Sequence, residues 1–461
     1  MIRHTTASCL LVAGALTGQA AVACEDRPNI LLIVADDQRP DTIHALGNEM
    51  IRTPNLDRLV REGTAFTRAV TAIPICVASR AELLTGRNGL KNGRADFGFT
   101  PADDAKCLAE LLSEAGYDTC YTGKWHTSGR PSSRGYEQSV GLFAGGGEAL
   151  PLSHPADWHG RRVTGYVGWV FQTDDRQLFP ERGVGLTPGI SEVFADEALR
   201  FLKAPRERPF FLHLNFTAPH DPLHVPPGEQ FRYAVGDMRL PPNFAPQHPF
   251  DHGNAGMRDE LLFQLPRTPE ETCGELAVYY ALISHMDAQI GRVLDRLEQS
   301  GMLDNTVVVF TSDHGLAIGS HGLRGKQNMY EHTIGVPLLM RGPGVPAGLR
   351  SAAACYLRDL YPTVCEFAGV QIADPVDGRS LGPVLRGETA GIHADIITHF
   401  RDVQRAIRTD RWKYIAYPQA QREQLFDLQD DPLERHDRSA DPAQRENLTQ
   451  LRARLEAQLS R

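Results

Sequence analysis

The sequence has no excess of positive charge. Its 48 lysines and arginines are outnumbered by 57 aspartates and glutamates, a net charge of −9. That argues against a general nucleic-acid binder, which needs a basic surface for phosphates. It does not exclude a local basic pocket. Long hydrophobic runs are missing too: the apolar stretch 9–16 is too short to span a bilayer. Eight cysteines are present, but none are paired as C-x-x-C, so no cysteine-built metal site is written in their spacing. There is no internal repeat and no low-complexity segment, which excludes solenoid and linker architectures.

What remains is an ordinary globular composition, 41% hydrophobic and 23% charged over 461 residues. That length supports a large core in two or three domains, or one large domain with an appendage. The N-terminus reads as an export signal over residues 1–23. Arg3 and His4 precede the apolar run, and Ala21-Val22-Ala23 supplies a small-residue cleavage site. Cys24 follows at once, as in a lipoprotein, but Ala21 stands where such signals carry leucine. A soluble exported (periplasmic or secreted) form is therefore expected, with membrane attachment only through a lipidated Cys24. Cys9 leaves with the signal. Cys107 with Cys120, and Cys355 with Cys365, are possible disulfides in an oxidising compartment.

Along the chain, several apolar runs lack alternation, which means strands buried on both faces, as in a parallel sheet. Residues 28–37 form one and end in Asp36 and Asp37. Two adjacent acids at a buried strand end repel each other and want a cation between them. Residues 306–315 repeat the pattern and end in Asp313 and His314. The strand 118–122 leads to Lys124 and His126, and 209–216 leads to His220 and Asp221. Ligand sites in open α/β sheets lie at such carboxyl ends. A further strand is expected at 336–340, and 66–75 looks strand-like. Helices are expected at 53–60, 108–116, 270–300, 360–367 and 441–459. Met286 and the tyrosines of 270–300 read as core. The stretch 129–191, rich in glycine, proline and aromatics, reads as an irregular functional insert. Its rings and basic groups suit sugar faces and anions. Near the end, 405–408, 411–417 and 423–428 read as antiparallel strands. The fold class is therefore α/β, a large mainly parallel sheet sandwiched by helices. A catalytic domain spans 24–378, and a small C-terminal α+β subdomain with an antiparallel sheet spans 379–461.

The chain is organised around Cys76-Val77-Ala78-Ser79-Arg80. A cysteine in the first turn of a helix meets free N–H groups and the positive dipole end. Cys76 there is activated toward reaction, and Arg80 one turn on adds a second positive charge. This is a place to hold an anion against a nucleophile.

Taken in order, the Asp36-Asp37 strand end, Cys76–Arg80 with Leu84-Thr85-Gly86-Arg87, Gly123-Lys124-Trp125-His126, Pro219-His220-Asp221-Pro222, Ser312-Asp313-His314-Gly315, and His321-Gly322-Leu323 with Lys326 resemble the type I sulfatases of the alkaline phosphatase superfamily. The resemblance implies an alkaline-phosphatase-like fold. It also implies that a formylglycine-generating or radical-type maturase oxidises Cys76 to formylglycine, whose aldehyde hydrates to a gem-diol. A sulfate carried on one hydroxyl can be expelled by C–O cleavage when the other loses its proton. By the same resemblance Asp36, Asp37, Cys76, Asp313 and His314 hold Ca²⁺, although an imidazole is softer than calcium prefers. Arg80, Lys124 and Lys326 neutralise the sulfate oxygens. His220 protonates the leaving alcohol, His126 takes the diol proton, and His321 lines the substrate side.

Two features depart from the family pattern. Proline is commoner than alanine at position 78, and Arg435-His436-Asp437-Arg438 replaces an expected Asn-Leu. The implied activity is sulfate removal from a sulfated saccharide. Phosphonate or phosphate diester hydrolysis, choline or aryl sulfate hydrolysis, and non-catalytic binding of a sulfated glycan are the rivals.

Overall fold

A computed structural model describes residues 27–89, 104–230, 232–372 and 376–459. The expected export signal, with Cys9 and Cys24, lies outside the described residues. The strands, in chain order, are β1 (Asn29–Ala35), β2 (Thr64–Phe66), β3 (Ala69–Val70), β4 (Asp118–Lys124), β5 (Gln138–Ala144), β6 (Val170–Gln172), β7 (Phe210–Asn215) and β8 (Thr306–Ser312). They continue with β9 (Leu338–Arg341), β10 (Leu349–Ser351), β11 (Cys355–Tyr356), β12 (Ile396–Phe400), β13 (Gln404–Arg408), β14 (Trp412–Tyr417) and β15 (Arg422–Asp427). Nine form one sheet in the order β10-β2-β9-β8-β1-β7-β4-β5-β6. Its centre, β8-β1-β7-β4-β5, is parallel throughout, and β9 and β6 pair antiparallel.

The alternation of side chains across the pleat builds two cores. Ile30, Leu32 and Val34 of β1 face one layer, which includes the helices Leu108–Glu114 and Leu360–Phe367. Leu31, Ile33 and Ala35 face the other, with the helices Pro54–Glu62, Ile190–Lys203 and Pro269–Gln299. With both faces covered, β1, β7 and β8 carry continuous apolar runs.

The C-terminal sheet runs antiparallel in the order β12-β13-β14-β15. One face packs against the helix Arg445–Leu459. The other contributes Ile396, Phe400, Ile415 and Phe426 to a core shared with Val77, Ala78 and Ala81. This small sheet therefore backs the helix Cys76–Thr85, every residue of which is buried. Leu381, Val384 and Leu385 pack into the core of the large sheet.

Three expectations change. The segment 66–75 yields only the short β2 and β3, after which Pro74 and the turns around it leave the chain irregular up to Cys76. The insert 129–191 contains β5 and β6, and the helix Ile190–Lys203 follows. No disulfide forms among the described residues: Cys76, Cys107, Cys120, Cys273, Cys355 and Cys365 are all free. Cys107 and Cys120 lie on opposite sides of the sheet, which keeps them apart. Cys355 and Cys365 share one layer as small apolar side chains.

Gly123, one residue before Lys124, has φ +99, and the β4–β5 register shifts between Thr122 and Gly123. Such a bulge re-aims the next side chain. A Cβ at this position would lie 1.8 Å from the Asn215 carbonyl oxygen. Gly123→Ala is therefore expected to destabilise the chain by about 3 kcal/mol or more, read as a lowered denaturation midpoint. An unchanged midpoint would show that the bulge tolerates a side chain.

Candidate active site

Four adjacent strands of the large sheet deliver the candidate residues. Ala35 of β1 pairs with Ser312 of β8, Val34 with Asn215 of β7, and Gly123 of β4 with the same Asn215. The residues that follow, Asp36, Asp313 and Lys124, therefore emerge side by side at the carboxyl edge. The helix Cys76–Thr85 enters this edge with Cys76 as its first residue. It is tied down there because the Ser79 hydroxyl donates to the Asp313 carbonyl at 2.6 Å.

The two acids of β1 are locked by backbone as well as by charge. Asp37 adopts φ 69, a left-handed conformation uncommon for a non-glycine residue. Its N–H donates to Asp313 Oδ1 at 3.1 Å. The Tyr279 hydroxyl donates to the Asp37 carbonyl at 2.6 Å and accepts from the Arg39 N–H at 2.9 Å. Tyr279 is buried, as expected, but it also braces this turn.

Around the acids stand three cations. Lys124 Nζ donates to Asp36 Oδ2 at 2.6 Å. Arg80 donates from Nε to Asp313 Oδ2 at 3.0 Å and from Nη1 to Asn215 Oδ1 at 2.8 Å. Lys326 Nζ lies 2.8 and 3.0 Å from the two Asp37 oxygens, 3.5 Å from Cys76 Sγ and 2.9 Å from His220 Nε2. Burial opposes ionisation of the Cys76 thiol, but Lys124, Lys326 and His314 outweigh it and hold the thiol well below its ordinary range. Burial likewise opposes the charge on Asp36, and Lys124 overrides it, so this carboxylate stays ionised. Asp313 differs: burial and the neighbouring Asp36 charge push it up to about 7.

The histidines fall into distinct states. His314 Nδ1 lies 3.0 Å from the Gly315 carbonyl and donates to it. That leaves Nε2 facing Cys76 Sγ at 3.2 Å and Asp37 Oδ1 at 3.3 Å. His220 donates from Nδ1 to the Asp221 carbonyl at 2.5 Å, and its Nε2 accepts from Lys326. Burial works against a proton on His220, but Asp37 outweighs it and raises the pKa. His126, beside Cys76 and edge-on to Trp169, is pushed down to about 4 by burial. It is therefore neutral and able to accept a proton near neutral pH.

The donor chemistry fits a divalent cation. Side-chain atoms of Asp36, Asp37, Cys76 and His314 lie within 4.8 Å of one another, all buried. Asp36 Oδ1 is buried without a hydrogen-bond partner, 3.5 Å from Arg80 Nη2. His314 Nδ1 is committed outward, so Nε2 faces the cluster. Burial works against a proton on this imidazole, but Asp313 and Asp37 outweigh it and raise its pKa to about 9, and a cation bound at Nε2 would take that proton's place. Asp313 sits at the margin, with Oδ1 3.8 Å from His314 Nε2.

A cavity of about 290 Å³ opens on this cluster, lined by Cys76, Lys124, His126, Tyr166, His220 and Lys326 among others. His321 is not brought to it. It stacks on Tyr330 at 3.9 Å, and its Nε2 lies 3.0 Å from the Glu434 carbonyl. Tyr166, Asn215 and Asp221 also take part, although the sequence assigned none of them a role. The Tyr166 hydroxyl donates to Asp36 Oδ2, and the Tyr166 ring stands edge-on to His220 at 4.8 Å. Asn215 holds Arg80. Asp221 accepts two hydrogen bonds from Arg258, at 2.6 and 3.0 Å, behind His220. Asn215 had a signal, since it ends a buried strand. Tyr166 had none beyond its place in the insert.

Comparison with known proteins agrees with this geometry. The family model described as Sulfatase matches residues 28–370, and one described as N-sulphoglucosamine sulphohydrolase, C-terminal, matches residues 319–461. An arylsulfatase of Clostridium perfringens is 31% identical over 432 residues, covering 88% of this chain and 89% of that protein. An N-acetylglucosamine-6-O-sulfatase of Bacteroides thetaiotaomicron is 27% identical over 479 residues, covering 88% and 82%. The crystal structure of the phosphonate monoester hydrolase of Agrobacterium radiobacter superposes with a TM-score of 0.74 at 25% identity, covering 94% and 95%.

Proposed function

Since the chain belongs to the sulfatase family of the alkaline phosphatase superfamily and is a sulfuric ester hydrolase, we propose that it removes sulfate from a sulfated carbohydrate. The observation that carries this reading is the cavity itself. It brings Lys124, Lys326 and a thiol together, with Arg80 buried behind them, and Tyr166 and Trp169 add aromatic walls of the kind sugar rings pack against. The likeness to an N-acetylglucosamine-6-O-sulfatase supports the same class.

In this reading Lys124, Lys326 and Arg80 draw the sulfate into the cavity and offset charge on its oxygens. His126, neutral, accepts a proton on the Cys76 side. The Lys326–His220 pair holds a proton between Nζ and Nε2 for the leaving alcohol. Formylglycine at position 76, made by a maturase, would supply the attacking hydroxyl. Asp36, Asp37, His314, residue 76 and Asp313 would hold Ca²⁺, which would supply Lewis-acid polarisation of the sulfate. Export through residues 1–23 belongs to the same proposal.

Chelation tests the cation. Stripping it would leave only Lys124, Lys326 and Arg80 to offset the crowding of Asp36, Asp37 and Asp313, so the melting temperature is expected to fall by several degrees. Elemental analysis of the isolated protein should find about one divalent ion per chain. A metal-free protein with an unchanged melting point would sink the assignment. Manganese or zinc in place of calcium would show that the imidazole nitrogen of His314 decides the choice.

The function is tested by sulfate release from a panel of singly sulfated mono- and disaccharides, with protein from a host that forms the aldehyde. Release from one sugar at one position would support the proposal. Release only from aryl or choline sulfates would overturn it. The superposition on a phosphonate monoester hydrolase favours a second reading, phosphonate or phosphate diester hydrolysis, which the same panel extended to those esters would reveal.

A further inference from the structure

The catalytic cavity measures about 290 Å³. Two larger cavities adjoin it. One, about 910 Å³, shares Thr164 with it and is lined by Leu261, Leu265 and Glu271. Its Arg161 is already satisfied, by Asp157 at 2.7 Å and Glu275 at 2.7 Å, and its exposed Arg162 shares the lining with two acids, Glu270 and Glu271. The other, about 590 Å³, shares both His126 and Trp169 with the catalytic cavity. Trp169 forms the partition, edge-on to His126 at 5.1 Å and to Tyr166 at 4.8 Å.

This second cavity has a different electrostatic character. Arg130 and Arg176 both line it. Arg130 donates from Nε to the Asp174 carbonyl at 2.8 Å, from Nη1 to Gln172 Oε1 at 3.0 Å and from Nη2 to the Thr173 carbonyl at 2.5 Å. All three acceptors are neutral, so its position is fixed while its charge has no bonded carboxylate. Arg176 is exposed at the rim, held with φ 71 in the turn that Arg130 grips. It forms no ion pair among the described residues. The acids of that turn, Asp174 and Asp175, are close enough for their charges to act on Arg130, but neither bonds its guanidinium: Asp174 accepts from Ser132, and Asp175 from Thr173 Oγ1. Neither lines the cavity. The buried Thr127 hydroxyl in its wall has no partner.

We propose that the cavity behind Trp169 is a second anion subsite, in which Arg130 and Arg176 receive a carboxylate or sulfate on the sugar next to the one being desulfated. This rests on the carbohydrate reading above and sharpens it: the substrate is a polyanionic oligosaccharide, taken with its neighbouring ring. Arg130 supplies a rigid, pre-oriented guanidinium, and Arg176 adds charge at the mouth, so the contribution is to binding and not to the chemical step.

Binding is measured apart from turnover, in Cys76→Ala protein, by tryptophan fluorescence. The probes are N-acetylglucosamine 6-sulfate and the same sugar linked to a uronic acid. The second charge is expected to tighten binding by about fivefold to tenfold, with the gain shrinking as salt rises. Arg176→Glu should erase that gain, whereas Arg162→Glu in the rival cavity should not. Equal affinity for the two probes, no binding of either, or a gain lost in Arg162→Glu and kept in Arg176→Glu would each overturn the subsite. Sulfate release from protein with Cys76 intact is read separately. Release without the charge-dependent gain sinks the subsite alone. A charge-dependent gain without release sinks the hydrolytic substrate and leaves the subsite standing.

Discussion

Replacing Cys76 by alanine is expected to lower sulfate-ester hydrolysis at least about 10⁴-fold, the scale seen when an enzyme loses its nucleophile, while the chain stays folded. Cys76 is the first residue of a fully buried helix, where alanine is at least as good a helix former. Its loss strands no cation, because Lys124 keeps Asp36 at 2.6 Å and Lys326 keeps Asp37 at 2.8 Å. The packing that holds the helix comes from Val77, Ala78 and Ala81 against the C-terminal sheet, not from the thiol. The melting temperature should therefore move by only a few degrees. Two measurements belong together: turnover of the variant, and the mass of the peptide around residue 76 in active protein. An active variant, or a fully active protein that carries only a thiol there, would refute the proposed nucleophile. Arg80 variants would not decide this, because Arg80 also holds Asp313 and Asn215, and its removal disturbs charge and packing together.

The parallel sheet was legible because strands buried on both faces read as unbroken apolar runs, and β1, β7 and β8 are of that kind. Their ends were legible for the same reason. A run such as 28–35 that stops at two aspartates marks where the chain leaves the core with charge, and register then sets those charges beside the ones from β8 and β4. The insert was harder. The strand β5 has a half-exposed burial pattern and is interrupted by Gly141, so it carries neither a clean alternation nor an apolar run. Tyr166 reaches Asp36 only because the chain folds back over the sheet edge with φ 57 at that tyrosine, which no local pattern reports. His321 sits in a glycine-rich turn close in sequence to Lys326, but the turn reverses. Lys326 points to Asp37, and His321 stacks on Tyr330 toward Glu434. The cysteine pairs failed as well: spacing along the chain does not tell that Cys107 and Cys120 take opposite sides of the sheet, and Cys355 and Cys365 share a layer yet stay free thiols.

His220→Ala is expected to slow sugar sulfates by about 10²–10⁴-fold and activated aryl sulfates by about tenfold or less. A sugar alkoxide is a poor leaving group and needs a proton as the ester bond breaks; a phenolate carrying electron-withdrawing groups leaves without one. The structure supplies the means. Nδ1 of His220 is committed to the Asp221 carbonyl, and Nε2 shares a hydrogen bond with Lys326 Nζ at 2.9 Å, so the pair can present a proton to an oxygen in the cavity. The pair is also held from behind: Asp221 is gripped by Arg258, and Arg324 stands 3.4 Å from the same carboxylate. Arg324 in turn meets the buried Glu275 at 2.6 Å. This anchoring makes His220→Gln informative beside His220→Ala, since glutamine can keep a hydrogen bond to Lys326 but cannot deliver a proton. Both variants should show the same dependence on leaving group. A uniform loss across sugar and aryl sulfates would instead place His220 in binding the sulfate. Rescue by glutamine would reduce it to a post that positions Lys326, and the proton would then have to come from Lys326 itself.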